Sequence, residues 1–287
     1  MARKPDYSLG CRLPVADWAE LNRDRIFERP ALARFVAPFP PPALMRITVG
    51  VALEKQFANH CATMWEVLSA ASPTPLAQYD SVLDFGCGSG RLARMFKGFA
   101  GRLAGCDIDP RMVAWCASSL DYMDARVSHA QPPTPFADAG FAAIISISIF
   151  THLTEASQDA FLAELARISR PDGLLFLTTH GDRALARALA EPDIRAMLDV
   201  DDVAFARARA DFAAGRHAFV LQPGVHLTTL VDDRLLTGKT IAEPYEYGIA
   251  LFPEAYVRSH WSRWFEIVDY RSGAIHDFQD IVVLRPR

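Results

Sequence analysis

Val82-Leu83-Asp84-Phe85-Gly86-Cys87-Gly88-Ser89-Gly90-Arg91 decides how this chain is read. An apolar run ends in three alternating glycines and passes into Arg91 to Phe99, a stretch that suits a helix. Glycines at 86, 88 and 90 permit positive φ and let backbone N–H groups approach a ligand at the mouth of a helix. A glycine-rich turn by itself is ordinary between any strand and helix. Here a second β-like run follows, Arg102 to Cys106, and Asp107 stands at its end, 21 residues after Gly86. A carboxylate in that place can accept both hydroxyls of a ribose. Two common nucleotide loops fit poorly. The dinucleotide pattern needs Gly or Ala where Arg91 stands, so that the helix packs closely on the strand, and a Walker A loop needs Gly-Lys-Ser/Thr where the chain has Ser89-Gly90-Arg91.

The β-loop-α-β start continues outward. Asp109-Pro110 is an N-cap followed by a proline at the first helical position, opening a helix to about Leu120. A weak strand is expected near Ala125 to Ser128. Phe141 to Phe150 is a β-branched apolar run, as expected for a strand buried on both faces of a parallel sheet. Thr154 caps a helix reaching Ser169, with Phe161, Leu162, Leu165 and Ile168 on one stripe. Pro171-Asp172-Gly173 turns the chain into a fifth strand, Leu174 to Thr179. Near the end, Tyr256 to Trp264 suits a helix, and Phe265 to Tyr270 and Asp280 to Leu284 suit strands joined by a turn near Ser272-Gly273, a hairpin at the sheet edge.

This alternation predicts an α/β fold, a doubly wound and mostly parallel sheet whose last strand is antiparallel. Residues 1–75 read as an N-terminal extension, irregular up to the cluster Pro38 to Pro42 and helical from Ala43 to Ala71. Residues 76–181 and 255–287 form the core, and 182–254, where the α/β rhythm lapses after strand five, form an insertion expected to act as a lid.

Composition sets outer bounds. At 287 residues, 51% hydrophobic and 22% charged, the chain is long enough for one full core plus a lid. A net charge of −4 without a dense Lys/Arg run argues against a nucleic-acid surface. The apolar stretches are too short for a membrane span, and with no secretory signal the expected location is cytoplasmic. Five cysteines without a CxxC pair support neither a disulfide framework nor a zinc site, so no metal is expected. Cys87 and Cys106 read as small apolar fillers at strand ends.

Asp84-x-Gly86-x-Gly88-x-Gly90 resembles the first motif of class I S-adenosylmethionine-dependent methyltransferases, and Gly105-Cys106-Asp107-Ile108-Asp109 is similar to their second. Ser146 to Leu153 resembles their fourth-strand motif, and Leu165 to Leu175 their passage into strand five. Weaker likeness in Pro40 to Met45, Trp115-Cys116, Pro132 to Phe136 and Gln279 to Leu284 extends to bacterial members often found beside glycosyltransferases. There are departures: Ala142 stands where the family usually has Asp, and no acidic or amide partner for adenine is evident in Ser128 to Gln131.

The resemblance implies S-adenosylmethionine as cofactor, with Gly86, Cys87, Gly88 and Gly90 around its methionine part and Asp107 on its ribose. It also implies Ile108 against the adenine, Asp84 orienting the loop or meeting the ammonium, and Ser148 near the methionine moiety. Ile108 is equally readable as core, and Ser148 as a strand-end hydroxyl bonded to backbone. Methyl transfer from a sulfonium is an in-line displacement that asks mainly for alignment and exclusion of water. A hydroxyl acceptor also needs a base, for which histidine is the commonest choice. His152 and His180, just past strands four and five, are the candidates, with packed or capping roles as the alternative; His226, His260 and His276 rank lower. Tyr245, Tyr247, Phe252, Tyr256 and Trp261 could stack on sugar rings or pack the insertion's own core. The expected partner is a small-molecule or glycan acceptor, sugar O-methylation resting on the family likeness alone. Another metabolite or lipid acceptor, a non-catalytic cofactor-binding role, and the oligomeric state stay open.

Overall fold

The structure, a computed structural model, describes residues 5–222 and 246–287. His226 and Tyr245 therefore lie outside the described residues. Contacts divide the chain into two compact units, one comprising described residues up to Ser128, the other the described residues from His129 onward.

In the first unit the N-terminal extension is more helical than its sequence suggests. It holds α1 (Val15–Glu20), α2 (Ile26–Glu28), α3 (Pro42–Val49) and α4 (Glu54–Ala71), with short 3-10 or π turns between them. The expected helix from 43 to 71 is two, because Gly50 takes a left-handed φ of 74° and closes α3. Then come β1 (Ser81–Phe85), β2 (Arg102–Asp107), α5 (Pro110–Ser119) and β3 (Met123–Val127), the strands pairing in parallel as β3-β2-β1. Asp109 caps α5 as expected, its side chain accepting from the Arg111 N–H.

One expectation fails here. Arg91 to Phe99 is not an α-helix but a single 3-10 turn, Ala93–Phe96. Its carbonyls are taken by the extension instead of by further helical turns. The buried Trp18 indole donates to the Met95 carbonyl at 2.8 Å, Cys11 N–H donates to the Lys97 carbonyl at 2.8 Å, and Trp65 sets its ring edge-on to Phe96. Arg94, buried behind the turn, donates to the Ala37 carbonyl at 2.7 Å. Tertiary partners thus satisfy groups that a helix would satisfy internally.

The second unit runs β4 (Phe141–Ser146), α6 (Glu155–Ile168), β5 (Ser169–Thr179), α7 (Asp182–Ala190), α8 (Pro192–Met197) and α9 (Asp202–Ala213). It continues with β6 (Ala218–Leu221), β7 (Gly248–Leu251), α10 (Glu254–His260), β8 (Phe265–Ile275) and β9 (Gln279–Pro286). β4 and β5 are parallel, and β9 is antiparallel to both β5 and β8. The sheet has seven strands in the order β3-β2-β1-β4-β5-β9-β8, mostly parallel with one antiparallel strand, as the sequence predicted. The last strand lies inside the order and β8 is the edge.

Several boundaries move for local reasons. β4 stops at Ser146, and Phe150–His152 is a 3-10 turn. Pro171 to Gly173 is not a free turn but an irregularity within β5, where the register with β4 slips between Phe141 and Ala143. The final hairpin turns at His276 and Asp277, both at φ 55°, rather than at Ser272-Gly273, which sits in a register slip between Arg271 and Ile275.

The described part of the insertion builds a small core of its own from Ala184, Ala188, Leu198, Phe205, Phe212, Val220, Ile249 and Leu251, joined by Phe278 of the final hairpin. Phe252, Tyr256 and Trp261 are buried, so of the two roles open to these aromatics, packing is the one they fill.

Candidate functional site

The glycine loop is held by its own unit at every backbone donor. Gly86 and Cys87 N–H both donate to the Cys106 carbonyl, at 2.9 and 3.0 Å, and Gly90 N–H donates to Cys87 O at 3.0 Å. Gly88 N–H donates to Asp107 Oδ2 at 2.8 Å, and Ser89 N–H to Thr48 Oγ1 at 3.3 Å. A loop built for phosphate leaves such N–H groups free for the anion. With all five consumed, this one has no free N–H among them to offer an anion.

Glycine is required at two of these positions. Gly88 and Gly90 adopt φ of 51° and 81°. A Cβ on Gly90 would meet Leu120 Cδ1 at 2.7 Å, and one on Gly88 would stand 3.1 Å from Thr48 Cγ2.

Three acidic residues divide the work around the loop. Asp109 is consumed by the α5 cap and by an ion pair with Arg111 at 2.6 Å. Asp107 takes Gly88 N–H on Oδ2 and Asp109 N–H, at 2.9 Å, on Oδ1. Each oxygen thus carries one of these bonds, and the Ile108 N–H also bears on the carboxylate, whose remaining acceptor capacity can meet a hydroxyl. Burial pushes the Asp107 carboxyl up to about 6, against the pull of the Asp109 and Gly88 N–H groups. Asp84 is fully buried in β1, pushed up to about 7 by desolvation, with Arg91 opposing the rise and Asp107 adding to it. Its Oδ2 has no hydrogen-bond partner among the described residues.

An orphaned buried carboxylate oxygen, internally satisfied loop donors and an aspartate with remaining acceptor capacity fit a ligand that is cationic at one end and carries a ribose. S-adenosylmethionine is such a ligand. Gly86, Cys87, Gly88, Gly90, Asp84 and Asp107 stand together around this loop, with Ile108 half-buried next to Asp107. Cys87 is buried, and its thiol is raised chiefly by its contact with Cys116, whose sulfur donates to Gly88 O at 3.4 Å. Sequence reasoning did not connect Thr48 or Cys116 with the loop they contact. Val127 pairs in register with Asp107 and is 50% exposed.

The histidines belong to the second unit. His152 Nδ1 lies 2.8 Å from the Gly248 carbonyl. A carbonyl can only accept, so Nδ1 carries the hydrogen and Nε2 the lone pair. The Tyr247 ring stacks on the imidazole at 4.5 Å and 15°, its hydroxyl 3.3 Å from Nε2. Stacking places that hydroxyl over the ring face, away from the in-plane lone pair. Burial lowers the His152 pKa, the Gly248 carbonyl opposing.

His180 stands 6.4 Å from His152, ring to ring, and is packed against Phe278. Burial drives its pKa down to about 3, the nearby His152 adding to the drop and the Ala250 carbonyl resisting it. Ser148 is at φ 61°, its N–H donating to Thr178 Oγ1 at 2.7 Å and its hydroxyl sharing a bond with the Gln279 amide. Within its unit the Ser148 hydroxyl bonds a side chain rather than the backbone. His260 is engaged by Asp159 at 2.6 Å, and His276 forms the hairpin turn. Among the described residues no cluster of His, Cys, Asp or Glu could hold a metal, and no helix is long and apolar enough to cross a membrane.

Residues 83–177 match the family model described as a methyltransferase domain. Among solved structures, the chain is similar to a protein of Pyrococcus horikoshii OT3, with a TM-score of 0.56, 14% identity and coverage of 86% of this chain and 96% of that one. It is also similar to an S-adenosylmethionine-dependent methyltransferase from Mesorhizobium loti, at TM-score 0.47, 13% identity and coverage of 78% and 97%. A third is the glycopeptide N-methyltransferase MtfA in complex with S-adenosylmethionine, at TM-score 0.47, 15% identity and coverage of 78% and 87%. The first of these, at TM-score 0.56, speaks for the fold.

Proposed function

We propose that this chain, a methyltransferase that uses S-adenosylmethionine, methylates a hydroxyl of a sugar or glycan precursor, with His152 as the proton acceptor. The observation that carries the hydroxyl reading is the 2.8 Å bond from His152 Nδ1 to the Gly248 carbonyl. It fixes the tautomer whose Nε2 can take a proton, and the lowered pKa keeps that nitrogen unprotonated at neutral pH. The sugar part rests on the likeness of the weaker motifs to members found beside glycosyltransferases.

The cofactor supplies a methyl group already activated on a positively charged sulfur. What falls to the chain is binding, orientation and the proton. Asp107 would hold the ribose, while Asp84 favours the positive end. When the methyl group is transferred to the acceptor oxygen, the hydroxyl proton would pass to His152 Nε2. Tyr247 keeps the imidazole plane fixed by stacking. His180, neutral and packed, is assigned to shaping the His152 surroundings rather than to proton transfer, and Ser148 to fixing the turn after β4.

The test is incubation with S-adenosylmethionine and a panel of nucleotide sugars, free glycans, lipids and amines, read by mass spectrometry for the gain of one methylene unit. Methylated sugar hydroxyls are expected. Products confined to amines or to lipids overturn the sugar reading, and cofactor binding with no product across the panel favours a non-catalytic role.

A further inference from the structure

We propose that Thr48, in the N-terminal extension, is a positioning residue for the cofactor: it latches α3 onto the glycine loop through Ser89 and so sets the loop in its binding shape. Thr48 lies outside residues 83–177, which match the family model, so the latch is supplied by this chain's own extension.

The hydrogen-bond roles can be assigned. Thr48 Oγ1 lies 2.9 Å from the Leu44 carbonyl one turn back, and only the hydroxyl can donate in that pair. Its hydrogen is therefore committed, and its lone pairs are left to accept. Ser89 fills both, with its hydroxyl at 2.7 Å and its N–H at 3.3 Å. Ser89 is 1% exposed, so water does not replace these partners when they are lost. On the same side chain, Cγ2 occupies the space before Gly88, 3.1 Å from where a Cβ would stand. One threonine thus satisfies both donors of Ser89 and packs the residue before it.

The consequence follows from the loop's other bonds. Gly86, Cys87 and Gly90 are tied to β2 or to the loop itself, and Gly88 to Asp107. Ser89 is the only one of the five whose N–H is held from the extension. Releasing it leaves the segment between two positive-φ glycines free to sample other conformations, and the cofactor must then pay the ordering cost on binding. The loss is expected in cofactor affinity rather than in the chemical step.

The experiment is titration calorimetry with S-adenosylmethionine and S-adenosylhomocysteine on the full chain, with KM and kcat measured alongside. Thr48→Val keeps the shape and removes the acceptor; Kd for both ligands and KM for the cofactor should rise about tenfold, with kcat at saturation within about twofold of wild type. Thr48→Ser restores the oxygen and should bring Kd back to within about threefold. Combined with Ser89→Ala, Thr48→Val should cost less than the sum of the two single changes. Wild-type Kd in a folded Thr48→Val protein overturns the proposal, as does strict additivity of the pair. Should Thr48→Val not fold, Ser89→Ala removes one of the two bonds from the loop side, and an unchanged Kd there overturns it equally.

Discussion

The cofactor unit and the histidine unit hide titratable groups in opposite ways. In the first, two carboxylates, Asp84 and Asp107, are buried and pushed up to about 7 and about 6. In the second, two imidazoles, His152 and His180, are buried and pushed down. Burial disfavours charge in both places, yet the chemical consequences differ. A carboxylate held short of full ionisation is ready to meet a cation, which repays its desolvation. An imidazole held neutral is ready to take a proton. The first suits a site that binds S-adenosylmethionine, and the second suits the proposed proton acceptor.

The largest effect expected from this contrast is in turnover. His152→Ala should lower kcat by about a hundredfold to ten-thousandfold if it removes the base, with cofactor Kd unchanged within about twofold by calorimetry. His152→Gln, which can still donate to the Gly248 carbonyl but cannot take the proton, should be comparably slow. The acid limb of kcat against pH should lie below the ordinary histidine value, because burial lowers the His152 pKa. Wild-type turnover in either variant breaks the assignment, and the contrast then loses its catalytic side.

Next in size is Asp107. Its carboxylate holds Gly88 N–H and is the proposed partner of the ribose. Asp107→Ala should therefore weaken S-adenosylmethionine and S-adenosylhomocysteine binding about tenfold or more, since each charge-assisted bond contributes roughly 1.5–3 kcal/mol. It should also lower the melting temperature of the cofactor-free protein. Asparagine in its place, whose single oxygen can hold one of the two N–H groups, should recover part of the melting temperature and still bind poorly. Unchanged affinity in folded Asp107→Ala would falsify the ribose contact.

A smaller effect separates the two units by proton linkage. With apo pKa values of about 6 and about 7, Asp107 and Asp84 are increasingly ionised as pH rises from about 5 to about 8. A cationic ligand favours the ionised forms, so S-adenosylmethionine affinity should rise severalfold over that range and then level off. S-adenosylhomocysteine, which lacks the sulfonium charge, should show a shallower rise. Asp84→Asn should flatten both curves. A flat wild-type curve for S-adenosylmethionine means that the buried carboxylates do not feel the ligand's charge.

These two units were not equally legible in the sequence. Asp84 to Asp109 is one continuous strand-loop-strand passage, so the closeness of Gly86, Gly88, Gly90 and Asp107 could be read from spacing. The helix expected after the loop was wrong because its carbonyls go to Trp18 and Cys11, more than seventy residues earlier in the chain. Thr48 gave no signal at all: a threonine in a short helix looks like any other until its partner Ser89 is known. The histidine surroundings join His152, Thr178, His180, Gly248 and Gln279, which no local pattern links. Strand-end position identified both histidines, but not the backbone carbonyls of Gly248 and Ala250 that meet their rings, which lie on a strand inside the insertion. What separates the two rings is the deeper burial that drives His180 down to about 3.

The last and smallest prediction tests His180 by stability. Its pKa is about 3 in the folded chain and about 6.5 as a free side chain. A group whose folded pKa is depressed lends stability that is present above the unfolded pKa and is lost as pH falls towards the folded one. The window is therefore from about pH 6.5 down to about pH 3. At pH 5 the unfolded chain gains most of a proton that the native chain refuses, a loss of about 2 kcal/mol from this residue. His180→Gln retains a donor suited to the Ala250 carbonyl and cannot titrate, so its loss between pH 7 and pH 5 should be smaller by about that amount. Asp84 and Asp107 act with the opposite sign over part of the same range, but they are common to both proteins and cancel in the difference. Denaturant melts at the two pH values, with turnover measured at pH 7, separate the roles. A reduced acid penalty with activity within a few fold of wild type places His180 with the packing. Equal acid penalties in the two proteins show that the ring is reached by water and protons, and return it to the list of candidate bases.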